Sequence, residues 1–149
     1  MADAPDQKVL NPKLTCAFEL LRRIRNIRAS NDEQADVYVK AFNAAAGRIR
    51  QAGPSEEATR ELQETVKSTY LIPAVRLAAA QLIADQAKGR ESQTIGWLGS
   101  VRNEDYHNEP FRQGVDALIA ALHKVELDEI RQMTESVKLP ETPKPGLNL

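Results

Sequence analysis

Phe111-Arg112-Gln113-Gly114-Val115-Asp116-Ala117-Leu118-Ile119-Ala120-Ala121-Leu122-His123-Lys124-Val125 is the stretch that decides the fold. Phe111, Val115, Leu118, Ile119, Leu122 and Val125 recur at three- and four-residue steps, the period that gathers side chains on one face of an α-helix. A strand would need alternation, and the chain has none worth the name. The helix is expected to start near Asn108 or Glu109 and to continue through Ile130 and Met133.

The same period recurs towards the N-terminus. Residues 90–110 read as the least regular part, punctuated by Ser92, Gly96, Gly99, Ser100, Asn103, Asn108 and Pro110. Ile95, Trp97, Leu98 and Val101 predict a short helix there, with Trp97 as a core plug or subunit contact. Pro73 should break or kink the chain just before it. Val75, Ala78, Ala79, Leu82, Ile83 and Ala87 then form a fourth helix closed by Gly89, alanine-rich enough for close approach to a neighbour. Ser55, Glu56 and Glu57 open a third helix, with acids near its positive dipole end and Ala58, Leu62, Thr65, Val66 and Thr69 inside. Ser30 and Glu33 form a capping-box signature for a second helix carrying Ala35, Tyr38, Val39, Phe42, Ala45, Ala46 and Ile49, ended by Gly53-Pro54. Asn11-Pro12 starts a first helix holding Leu14, Cys16, Ala17, Phe18, Leu21, Ile24 and Ile27, expected to reach about Ala29.

The expected architecture is all-α: a bundle of four to six helices over residues 11–138, in an up-and-down arrangement. Residues 1–10 read as a flexible leader. Residues 139–149, with Pro140, Pro143 and Pro145, read as a disordered tail.

Composition bounds the function. The chain has 149 residues, 42% hydrophobic and 28% charged, with a net charge of -1. No bulk field favours nucleic acid or an anionic membrane, so any such role needs a local basic patch. Aromatics at 5% argue against base-stacking platforms. No apolar run approaches the ~20 residues of a membrane span. The acidic start, Met1-Ala2-Asp3-Ala4-Pro5-Asp6, has no secretory h-region, and the expected location is cytoplasmic. One cysteine excludes an internal disulfide; Cys16, within an apolar run, reads as a buried structural thiol. With one cysteine and two histidines, local spacing assembles no metal site. No Gly-rich phosphate loop is present, and nothing calls for a cofactor.

Two features can carry chemistry. Arg22, Arg23, Arg25 and Arg28 crowd one face of the first helix, either as a solvated face or as a phosphate-binding one. Arg102-Asn103-x-x-x-His107 places an arginine, a polar amide and a histidine within one short turn. Here the chain resembles the HEPN family (higher eukaryotes and prokaryotes nucleotide-binding domains), small all-α bundles with arginine, a polar residue, three variable positions and histidine near a late helix. The resemblance implies a metal-independent endoribonuclease, a toxin or defence effector, with Arg102, Asn103 and His107 as its catalytic set. Arginine suits the charge building on a phosphorane-like transition state, and histidine titrates where it can exchange protons with a ribose hydroxyl. Asn103 would orient one partner. One protomer has one such histidine, so a homodimer would supply both acid and base, and the Arg22–Arg28 face would guide RNA. The residue two places after the histidine is a tyrosine in the toxin subgroup paired with nucleotidyltransferase antitoxins; here it is Glu109.

The competing reading is structural. Arg102 pairs with Asp105 or Glu104, Asn103 caps a turn, and His107 bonds backbone at the helix entrance. Function would then be that of a non-enzymatic α-helical homodimer, a module for binding a protein partner. An intramolecular ion pair on Arg102 favours this second reading.

Overall fold

In the computed structural model, residues 12–26, 34–105 and 107–138 are described below. They form six helices and no strand: α1 (Pro12–Arg25), α2 (Ala35–Ala52), α3 (Glu56–Lys67), α4 (Pro73–Asp85), α5 (Glu91–Glu104) and α6 (Glu109–Val137). Successive helices pair as α1/α2, α3/α4 and α5/α6, and α4 touches α2, α3, α5 and α6. Its alanines explain this central place, because Ala79 and Ala80 are fully buried and let other helices approach closely. Gly114 on α6 completes the close contact: a Cβ there would lie 2.5 Å from Cδ2 of Leu77.

Helix boundaries follow local chemistry. The Ser55 hydroxyl accepts the Ala58 N–H at 3.1 Å and caps α3. Gly53, at φ +87°, ends α2 in a conformation that disfavours side chains. Pro73 occupies the first turn of α4, where its missing N–H costs nothing, so it begins the helix instead of kinking one. Asn108 caps α6 by accepting the Phe111 N–H at 3.2 Å.

The core is one cluster: Phe18, Leu21 and Ile24 from α1, Tyr38, Phe42 and Ile49 from α2, Leu62 and Val66 from α3, and Val75 and Leu82 from α4. Leu98 and Val101 from α5 and Phe111, Val115, Leu118 and Leu122 from α6 complete it. Each lies on the apolar stripe that its period assigned.

Several expectations are corrected. The 90–110 region holds a regular 14-residue helix, α5, because Gly96 and Gly99 sit mid-helix without breaking it. Helix α3 stops at Lys67, leaving Thr69 in an exposed turn. Cys16 is exposed, not buried, because it falls beside the Ala17–Phe18–Leu21 stripe of α1 rather than on it. Helix α1 ends at Arg25 and α2 begins at Ala35. Ile27, Ala29, the Ser30–Glu33 capping box, the leader and the 139–149 tail lie outside the described residues.

Helix α6 outruns the bundle. Its last anchor is Glu129, whose carboxyl is pushed up by burial and by a hydrogen bond with Glu91 at the start of α5. From Ile130 to Lys138 every residue is exposed, a projection of roughly 12 Å over the last eight helical residues. Among the described residues, no helix is long and apolar enough to cross a membrane.

Candidate functional site

The stretch carrying the motif spans the last turn of α5 and the turn into α6, and its side chains are engaged one by one. Arg102 sits on the final turn of α5 and reaches across to α6. Its Nε donates to Asp116 Oδ1 at 2.6 Å and its Nη2 to Asp116 Oδ2 at 3.2 Å, a bidentate fork. A third donor, Nη1, meets Asn103 Oδ1 at 3.3 Å. Of the five N–H donors of a guanidinium, these three bonds leave two. The hydrogen bond it donates to Asp116 holds Arg102 above its ordinary value, and the same bond holds the Asp116 carboxyl below its own. Asn103 and His107 are exposed, and His107 lies in the turn before Asn108.

Asp105 belongs to a different structure. It meets Arg76 Nη1 at 2.5 Å, and the Arg76 side chain is only 1% exposed. Arg76 Nε donates to the Val66 carbonyl at 2.7 Å. Its guanidinium carbon stands 3.8 Å from the Phe111 ring centroid. One buried cation therefore ties together the end of α3, the α5–α6 turn and the first turn of α6. Burial pulls the Arg76 guanidinium below its ordinary value, against the carboxylate that raises it. Sequence reasoning missed this residue. The available signal was a single charge within the otherwise apolar run Ala74–Ala80, on the inner face of α4.

The arginine face of α1 also turns inward in part. Arg22 donates to Glu61 Oε2 through Nε at 3.1 Å and Nη2 at 2.5 Å. Arg25 Nη1 donates to Glu61 Oε1 at 3.0 Å and to the Glu61 carbonyl at 3.2 Å. Glu61 lies on α3 and is 8% exposed. Burial pushes its carboxyl up, but the bonds from Arg22 and Arg25 outweigh that and hold it below the ordinary range. Arg23 pairs with Glu19 along α1, at 3.3 Å. Arg28 lies outside the described residues.

The concave surfaces among the described residues lie away from the motif. One, of about 110 Å³, opens where α3, α4 and α5 meet. Another, of about 320 Å³ between α1 and α2, contains Cys16. A third, of about 260 Å³, runs between α4 and α6 and is lined by Ala84, Ala117, Leu118, Ala121, Leu122 and Val125. No cluster of three or more His, Cys, Asp or Glu able to hold a metal occurs among the described residues.

No family model, curated protein or solved structure matches this chain. The HEPN resemblance therefore stands on Arg102, Asn103 and His107 alone.

Proposed function

We propose that this chain works by assembly: a non-enzymatic helical module whose projecting α6 docks with a second copy of itself. The observation that carries this reading is the apolar edge of the projection. Ile130, Met133 and Val137 follow each other at helical spacing and are 53%, 65% and 75% exposed. They continue the stripe of α6 past the point where the described residues cover it, and an apolar helix face left uncovered is a docking element. A second copy fits because each chain carries both halves of the contact. The small side chains of Ala84, Ala117 and Ala121 open an apolar groove midway along the same helix. A two-fold pairing would seat each tip in the other's groove.

Six such side chains, partly buried, contribute on the order of 9 kcal/mol before an association cost of about 4 kcal/mol or more, so these contacts give a weak dimer with a Kd of roughly 0.2 mM at the tightest. Sedimentation equilibrium at about 1 mM chain is expected to give an average mass well above the 16.5 kDa of one chain. Ile130→Asp with Met133→Asp should weaken the dimer at least tenfold with thermal stability unchanged, since both side chains are already exposed. A wild-type chain that stays wholly monomeric at about 1 mM removes the reading.

RNA cleavage is the second reading, favoured by one contact: Arg102 and Asn103 meet at 3.3 Å on the turn that leads to His107. The Asp116 fork must open before Arg102 can grip a phosphate with more than two donors. RNA incubated with chelator should be cut by wild type and spared by His107→Ala; equal behaviour of the two ends this reading.

A further inference from the structure

We propose that Glu91 and Glu129 form a proton-operated latch, which fastens the projecting half of α6 to the start of α5 and releases it when their shared proton is lost. That half of the helix needs a fastener. Leu122 is the last buried residue of α6, and beyond it Glu126 and Glu129 alone are half-buried among the described residues. The ion pairs of the segment join neighbours along the chain: His123 with Glu126, Arg131 with Asp128 and Lys138 with Glu135. A helix of about fifteen residues with no bundle beneath it is marginal in water.

The register of the α5/α6 hairpin brings the two acids together. Arg102 on α5 meets Asp116 on α6 at 2.6 Å. Glu91 lies eleven residues back along α5 from that pair, and Glu129 thirteen residues on along α6. At the rise of an α-helix these are runs of roughly 16 and 20 Å, so the antiparallel helices carry the two side chains to the same level. There their carboxyls hydrogen-bond.

Two carboxyls in such contact cannot both be ionised, so one proton lies between them. The surroundings decide where it sits. Glu91 is the first residue of α5, 5% exposed, at the positive end of the helix dipole. Burial pushes its carboxyl up, but bonds from its own N–H, from Glu129 and from the Gly89 N–H at 3.2 Å hold it below the ordinary range. Glu129 is held above that range, by burial first and then by the bond to Glu91. Lys88, in the turn before α5, favours charge on both acids, and Glu126, one turn back on α6, opposes it on Glu129. Glu129 therefore donates and Glu91 accepts.

The sign of the pH dependence follows. A carboxyl held above its ordinary value stabilises the fold below that value and ceases to as pH rises through the raised one. Glu91 keeps its charge on the acid side until pH falls through its own lowered value. The latch is closed in mild acid and opens as pH rises, leaving the far half of α6 to fray. Its bearing on assembly rests on the docking reading above: a frayed tip has no ordered apolar edge to offer a second copy.

Hydrogen exchange read by mass spectrometry tests the latch on the full chain at about 5 μM, far below the dimer Kd, so latch and assembly fail separately. Protection of residues 126–138, corrected for the intrinsic rate and referred to residues 111–122, is expected to fall by about tenfold between about pH 4 and pH 8. Glu129→Gln, whose amide donates to Glu91 as the protonated acid does, should keep the acid-side protection throughout. Glu91→Gln should do the same, because it removes the charge that repels an ionised Glu129. Histidine also titrates in this interval, and His123 lies on the same segment. A fall that persists unchanged in both variants therefore belongs to His123 and overturns the proposal, as does wild-type protection that stays constant with pH.

Discussion

Arg76→Ala is expected to lose about 3–5 kcal/mol of folding stability, the usual result when one member of a buried ion pair is removed. The truncation leaves Asp105 without its cation, the Val66 carbonyl without its donor and Phe111 without the charge over its ring. Those losses fall together because one side chain serves three segments. The prediction separates the pair from the packing. Arg76→Met keeps much of the volume, and joined to Asp105→Asn it removes both charges, so the double variant should be more stable than Arg76→Met alone. Urea denaturation checks both. A loss below about 1 kcal/mol for Arg76→Ala, within the range of ordinary surface substitutions, would mean that the buried cation holds nothing together.

Glu61→Gln is expected to cost about 2 kcal/mol near neutral pH, less than a fully buried pair because the Arg22 side chain is 46% exposed. The cost should depend on pH. The folded Glu61 carboxyl is held below its ordinary value of about 4.3. Its contribution is therefore fully present above that value and is lost as pH falls through the lower folded one. The stability gap between wild type and Glu61→Gln should narrow between about pH 5 and pH 3. A gap that stays constant over that interval would show that the charge on Glu61 does not matter. The same triad bears on the arginine face: Arg22 and Arg25 join α1 to α3, and a role for them in binding RNA would compete with that tie.

Much of the fold was legible from spacing alone. The stripes of Phe111–Leu122 on α6, Tyr38–Ile49 on α2 and Val75–Ile83 on α4 face the core, with Val39, Ala78 and Ile119 partly covered at their edges, because a helix places residues three and four apart on one side whatever lies opposite; Val125, expected on the α6 stripe, is 45% exposed. The starts at Ser55 and Asn108 were readable because a cap acts on N–H groups two or three residues away, and that at Pro73 because proline fits the first turn of a helix and little else of it. The regularity of α5 was hidden by its own composition. Gly96 and Gly99 lower helix propensity by roughly 1 kcal/mol each, and only packing of Leu98 and Val101 against α6 and the core outweighs that.

The candidate site was legible in part. Arg102, Asn103 and His107 were visible as a cluster, and an ion pair for Arg102 was among the readings. Its partner was expected nearby, at Glu104 or Asp105. The structure supplies Asp116, fourteen residues on, because the α5/α6 hairpin lays the last turn of one helix beside the second turn of the other. Asp105 in turn is taken by Arg76, twenty-nine positions earlier on α4.

Hydrophobic periodicity and end caps, being local along the chain, were enough to make this an all-α protein and to say which side of each helix faces inward. Which cation meets which anion was a matter for the tertiary structure, since electrostatic partners are chosen by distance through space and helix-to-helix register brings together residues far apart in the chain. So too was the exposed end of α6: its apolar stripe reads the same along its whole length, and only the limits of the bundle leave Ile130, Met133 and Val137 uncovered.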